Sequence, residues 1–204
     1  TPGLIDTHVH PTFGDFTPTQ NSIGWMRAYL HGGVTSLVSA GELHVPGLPL
    51  EAPDAKLFKY LAVLAKRCGD NLTGELPRLY AGALLLAPGL EEGDFDEAAA
   101  EGIRCAKFIF YPYGDDDREA ENYVRWCKER EIVVKIHSGG VSRSGVSRPA
   151  GLEVMRQLKP DVVGHIAGGP IPMPPDEMTT IVRDSDAYLE IATGGSFRRA
   201  VELA

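Results

Sequence analysis

The feature that most constrains this chain is a repeat of texture. A short apolar run is followed by a Gly- or Pro-rich loop and then by a stretch with helical spacing, seven times in succession. The apolar runs lie within residues 1–11 and at 34–40, 79–86, 104–111, 133–137, 161–166 and 187–192. Helical spacing predicts helices at 23–30, 54–68, 94–102, 117–131, 150–158 and 176–183, with a last one from about 196. Strands of four to eight residues that are apolar on both faces are parallel strands covered by helices. The pattern predicts the α/β class: an incomplete (β/α)8 barrel, one domain over 1–204, with strands one to seven present and the eighth missing. An open doubly wound sheet is the runner-up. No Gly-rich phosphate fingerprint follows the first strand, which counts against it.

Composition sets the remaining bounds. At 204 residues the chain buries a sizeable core, and 43% hydrophobic with 24% charged residues is ordinary for a globular domain. A formal net charge of -8 and an isoelectric point near 5.2 argue against nucleic acid or an anionic membrane as partner. No apolar run reaches the roughly 20 residues of a membrane span, and no signal peptide is evident. Cys68, Cys105 and Cys127 are odd in number and outside any CxxC pattern, so reduced thiols and a cytoplasmic location are expected. The abrupt start at a turn, with no initiator Met, suggests a piece of something longer.

Chemistry concentrates at strand ends. Barrel active sites lie at the C-terminal ends of the strands. The first strand carries His8 and His10, which share a face by alternation with Asp6 below them. The fourth carries Lys107, the fifth ends in His137, and the sixth places His165 near its end. Four of six histidines therefore sit at strand C-termini, where chance placement would favour loops and helices. Neutral imidazoles hold Zn²⁺ or a similar ion and leave it positive enough to polarise a carbonyl. A second ion nearby needs an anionic bridge. A lysine supplies one when its neutral amine takes up CO₂ as a carbamate, and Lys107 is the lysine placed for this. Lys135 lies deeper on the strand that ends in His137, where an interior ion pair is expected. Glu42 and His44 follow the second strand and are candidates for contact with substrate or metal, a plain loop pairing being the alternative. Arg143 and Arg148 follow the fifth strand. An anionic substrate would want such a guanidinium, although solvated loop charge is the simpler account. Tyr111 and Tyr113 either line a pocket or pack.

The ordered set His8, His10, Lys107, His137, His165 resembles the amidohydrolase superfamily, and PGLIDTHVHP resembles that superfamily's first-strand signature. The intervals 107 to 137 and 137 to 165 each suit one β/α unit. Within it, GVTSLVSAGELHVPG and DVVGHIAGGP resemble the enamidase branch, which hydrolyses a cyclic enamide in nicotinate breakdown. The resemblance implies two divalent metals, zinc or alternatively iron or manganese. His8 and His10 would hold one, His137 and His165 the other, with carboxylated Lys107 bridging and a metal-bound hydroxide attacking the amide carbon. It implies a small cyclic amide as substrate and assembly as a homo-oligomer. It also implies a catalytic aspartate on strand eight and a flanking β-sandwich. Both would lie outside this chain, so the catalytic base is unknown here and the fragment alone is expected to be inactive. Two alternatives remain open: a one-metal amidohydrolase or deaminase, and a non-catalytic scaffold.

Overall fold

The computed structural model describes residues 2–11, 24–45, 47–114, 116–141, 147–167 and 172–191. The expected last helix from 196, and Arg143, lie outside them. The chain forms two compact units: Thr1–Leu85 with Gly89–Ala106, and Leu86–Pro88 with Lys107–Ala204.

The first unit opens with β1 (Leu4–Val9), α1 (Trp25–His31) and β2 (Val34–Ser39), then α2 (Ala55–Asp70) and β3 (Arg78–Tyr80). Strands β1, β2 and β3 form a parallel sheet in that order, with Leu4 opposite Val34 and Leu37 opposite Leu79. Val9, Trp25, Met26 and Leu37 make its core, with Val34, Leu72, Leu76 and Leu79 against them. The first strand was expected to be buried throughout. Instead Leu4 and Ile5 are each 63% exposed, because β1 is the sheet's edge and only its C-terminal end, at Val9, enters the core. Helix α2 begins where expected: the Asp54 carboxylate accepts from the amides of Lys56 and Leu57. Its buried stripe is Phe58, Leu61, Ala62 and Ala65. The single strand expected at 79–86 is two short ones, β3 and β4 (Leu84–Leu85). Between them Gly82 adopts φ +81, and a Cβ there would lie 2.4 Å from the Ala62 carbonyl of α2. The chain turns against the helix where only glycine fits.

Helix α3 (Glu92–Ala100) is tied to α2 by charge. Asp94 pairs with Lys59 at 2.8 Å and Lys56 at 2.7 Å, and its carboxylate also accepts from the Glu91 amide at 2.8 Å.

The second unit takes up β5 (Cys105–Phe108) at Lys107 and continues with α4 (Arg118–Glu129), β6 (Val133–His137), α5 (Leu152–Leu158), β7 (Val162–Gly164), α6 (Pro175–Asp184) and β8 (Tyr188–Leu189). Strands β5 to β8 stand side by side in chain order. The β6–β7 and β7–β8 pairings are parallel, and His137 falls opposite Gly164. Helix α4 buries Ala120, Tyr123, Val124 and Cys127, a stripe at helical spacing. Tyr113 meets the rings of Phe108, Phe110 and Tyr123 edge-on, and its hydroxyl donates to the Leu86 carbonyl. Tyr113 is therefore a packing residue. Helix α4 starts one residue later than expected, because Asp117 takes the left-handed conformation with φ 55 and its carboxylate goes to Arg148.

Candidate metal centre

In the second unit His137 is the last residue of β6, and His165 follows β7 directly. His165 turns out of the strand with φ 41, a left-handed conformation uncommon for a residue with a side chain. Ile166 fixes that turn by donating its amide to the Glu190 carbonyl at 3.1 Å. The turn brings His165 Nε2 to 2.9 Å from His137 Nδ1. The other nitrogen of His137, Nε2, lies 3.2 Å from the Gly140 carbonyl. A carbonyl only accepts, so Nε2 carries the proton and Nδ1 presents its lone pair toward His165. Moving the proton of His165 to its own Nδ1 leaves two lone pairs facing one point.

Lys107 lies in β5 and is 2% exposed, and its Nζ has no hydrogen-bond partner among the described residues. It reaches toward Gly164: a Cβ there would lie 3.1 Å from Lys107 Nζ and 3.6 Å from Glu190 Oε1. Burial holds the lysine's pKa down to about 7. The Glu190 charge opposes this and the neighbouring Lys135 adds to it. Lys135 makes the interior ion pair expected of it, with Nζ 2.8 Å from Glu190 Oε2 and both side chains almost wholly buried. One carboxylate thus serves Lys135, while the Lys107 amine makes no hydrogen bond among the described residues. Glu190 and Gly164 are not among the residues that the sequence predicts for the site. The signal for Glu190 was an acid inside the apolar run AYLEIA.

In the first unit the rings of His8 and His10 stand 5.2 Å apart, on one face as alternation requires. His10 donates from Nδ1 to the Gly41 carbonyl at 2.7 Å, which leaves Nε2 as its lone-pair nitrogen. Gly41 adopts φ +97, and a Cβ on it would strike the Leu85 side chain at 2.4 Å, so the close turn after β2 needs glycine. The His44 ring stands edge-on to His10 at 4.7 Å, and Glu42 is 1% exposed in the same turn. The first unit therefore gathers His8, His10 and His44, and the second gathers Lys107, His137 and His165. Arg148 is engaged with Asp117 and the Phe110 ring.

Among the described residues no group of three or more His, Cys, Asp or Glu converges as a metal cage. Each unit offers a pair of imidazoles, and the second adds a buried amine. That donor set suits a divalent ion once the lysine is neutral and carries an anionic group, since an ammonium repels the ion. A cavity of about 510 Å³ lies elsewhere, lined by Lys128, Met155, Lys159, Asp161, Ile181 and Tyr188. It opens at the N-terminal ends of β7 and β8, the opposite ends from His137 and His165.

No protein-family model matches the chain. A search of curated proteins finds enamidase of Eubacterium barkeri, 35% identical over 196 residues, which are 96% of this chain and 50% of that protein. The crystal structure of enamidase, described as a new member of the amidohydrolase superfamily, superposes with a TM-score of 0.84 at 34% identity, covering 100% of this chain and 52% of that one. The chain is a homologue of enamidase. It spans about half the length of the relatives it matches. The homologue's α/β architecture with parallel sheets matches the corresponding part of enamidase. None of the helices among the described residues is long and apolar enough to cross a membrane, and all three cysteines are free thiols.

Proposed function

We propose that this enamidase homologue belongs to a metal-dependent hydrolase that cleaves the C–N bond of a cyclic amide, on an incomplete (β/α)8 barrel. The observation that carries the reading is the group in the second unit: His137 Nδ1 and His165 Nε2 face each other at 2.9 Å, and the Lys107 amine is buried against Gly164, the residue before His165, with no hydrogen-bond partner among the described residues. A charged ammonium would be costly there, whereas a carbamate on Lys107 would give the two imidazoles an anionic companion. Gly164 leaves room for the lysine's head. The buried Lys135–Glu190 pair neutralises itself, so it does not compete for that role.

In the first unit His8 and His10 are the proposed ligands, with the Gly41 carbonyl orienting His10 as a neutral imidazole. Glu42 and His44, in the turn after β2, are the proposed substrate contacts. The ions held by these residues, two of them and zinc or else iron or manganese, supply polarisation of the amide carbonyl and a water that ionises near neutral pH. The reading includes a cytoplasmic location and a homo-oligomer.

The test is elemental analysis of metal per chain, combined with native mass detection of one CO₂ on Lys107 and an assay with cyclic amides. Two metals with the adduct support the reading. One metal without it favours a mononuclear site, and none after loading leaves a scaffold.

A further inference from the structure

Arg148 makes three contacts within the second unit. Its guanidinium pairs with the Asp117 carboxylate and stands over the Phe110 ring, 4.5 Å from the ring centre. Its amide donates to the Phe110 carbonyl at 2.8 Å. Both partners are backbone outliers, Phe110 at φ 69 and Asp117 at φ 55. A left-handed Phe is held only where its surroundings over-determine it. The Arg148 side chain grips both.

Two residues further on, Ala150 is bridged to Gly139 in both directions, each amide donating to the other's carbonyl at 2.8 and 2.9 Å. Gly140, next along, offers its carbonyl to His137 Nε2 at 3.2 Å. Phe110 lies three residues beyond Lys107, on the segment leaving β5. Gly139 and Gly140 lie on the segment leaving β6. Contacts and short backbone links thus join the exit of Lys107's strand, through Arg148, Ala150 and Gly139, to the hydrogen bond that sets the tautomer of His137.

We propose that Arg148 is a positioning residue. It clamps these two exit segments together and so keeps His137 protonated on Nε2, with Nδ1 available to a ligand. The consequence for metal binding rests on the function proposed above, whereas the clamp itself does not. A guanidinium suits the task because its planar fork meets a carboxylate and stacks on a ring at the same time. An ammonium is a point charge, with neither a fork for the carboxylate nor a flat face for the ring.

The test compares Arg148→Ala, Arg148→Lys and Asp117→Asn in the full chain, without and with zinc. In metal-free protein, amide exchange at Gly139 and Ala150 should quicken at least tenfold in Arg148→Ala, while amides inside α4 keep their protection. Nitrogen NMR of His137 should show the Nε2–H form giving way to a mixture. Zinc affinity, read by chelator competition, should fall about ten- to a hundredfold, as for other residues that orient a ligand from behind. Arg148→Lys should recover part of each effect, which loss of bulk packing would not predict. If Arg148→Ala does not fold, Arg148→Lys and Asp117→Asn carry the same readouts in weaker form. Unchanged exchange and an unchanged His137 tautomer in the folded variants would overturn the proposal, whether or not zinc binds. Altered exchange and tautomer in the variants, with wild-type protein taking up no zinc, iron or manganese, would support the clamp and overturn the metal-dependent function instead.

Discussion

His165 Nε2 stands 2.9 Å from His137 Nδ1, because a left-handed turn after β7 aims one ring at the lone pair of the other. If the pair is a ligand pair, removing either ring should remove an ion. His165→Asn and His137→Asn keep polar side chains of similar reach. Each is expected to lower zinc affinity by more than about 100-fold, beyond the loss typical of residues that only orient a ligand. Chelator competition measures it, and unaltered uptake in both variants would exclude the pair.

Lys107 gives the protein a specific pH dependence. Its folded pKa is about 7, against 10.5 for a lysine in water, and burial is the main cause. Between these values the unfolded chain holds one more proton than the folded chain, so stability rises with pH through that window. Below pH 7 both states are protonated and the folded state bears the full cost of a buried ammonium. Relative to Lys107→Met, wild-type protein should therefore gain stability from about pH 7 to 10 in CO₂-free buffer. Urea unfolding at a series of pH values measures the difference. A flat difference would show that Lys107 is not buried as an amine.

Gly164 has no room for a side chain. A Cβ there would meet the Ile136 carbonyl at 2.8 Å and Lys107 Nζ at 3.1 Å, and the carbonyl belongs to the β6–β7 pairing. Gly164→Ala should cost about 2 kcal/mol. Gly93, in α3, has nothing within 4 Å of its would-be Cβ, so Gly93→Ala should stabilise by roughly 0.5–1 kcal/mol. Thermal unfolding of the two variants separates a crowded glycine from an idle one.

Asp94 joins two helices from a buried position. Its side chain is 2% exposed and that of Lys59 is 5% exposed, at a separation of 2.8 Å. Asp94→Asn leaves a buried ammonium with only the exposed Glu97 carboxylate, and should cost about 3 kcal/mol. The Arg67–Glu101 pair, between α2 and the C-cap of α3, is more open, and Arg67→Ala should leave the denaturant midpoint nearly unchanged. Denaturant midpoints at constant slope give both values.

The β/α alternation was legible because each strand is apolar on both faces, and periodicity separates such runs from helices. The break between β3 and β4 was not. Ala81-Gly82-Ala83 reads as strand, and what bends it is a carbonyl of α2 some twenty residues earlier. The exposure of Leu4 and Ile5 was equally hidden, since an edge strand and a central one share the same composition. His8, His10, Lys107, His137 and His165 stood out because polar groups at the ends of apolar runs are expensive unless used. Glu190 carries the same signal, an acid within an apolar run, but no motif accompanies it. Arg148 was read as a possible anion catcher. Its partners, Phe110 and Asp117, are dozens of residues away, and their left-handed backbones leave no mark in composition.

The solitude of the Lys107 amine has a consequence for handling the protein. On the proposed reading, a dissolved gas is a partner in folding, because CO₂ would bind the native chain at a site the unfolded chain lacks. Each tenfold rise in CO₂ above its dissociation constant would then add about 1.4 kcal/mol to stability. The headspace above a sample would set its melting temperature as surely as the buffer beneath it.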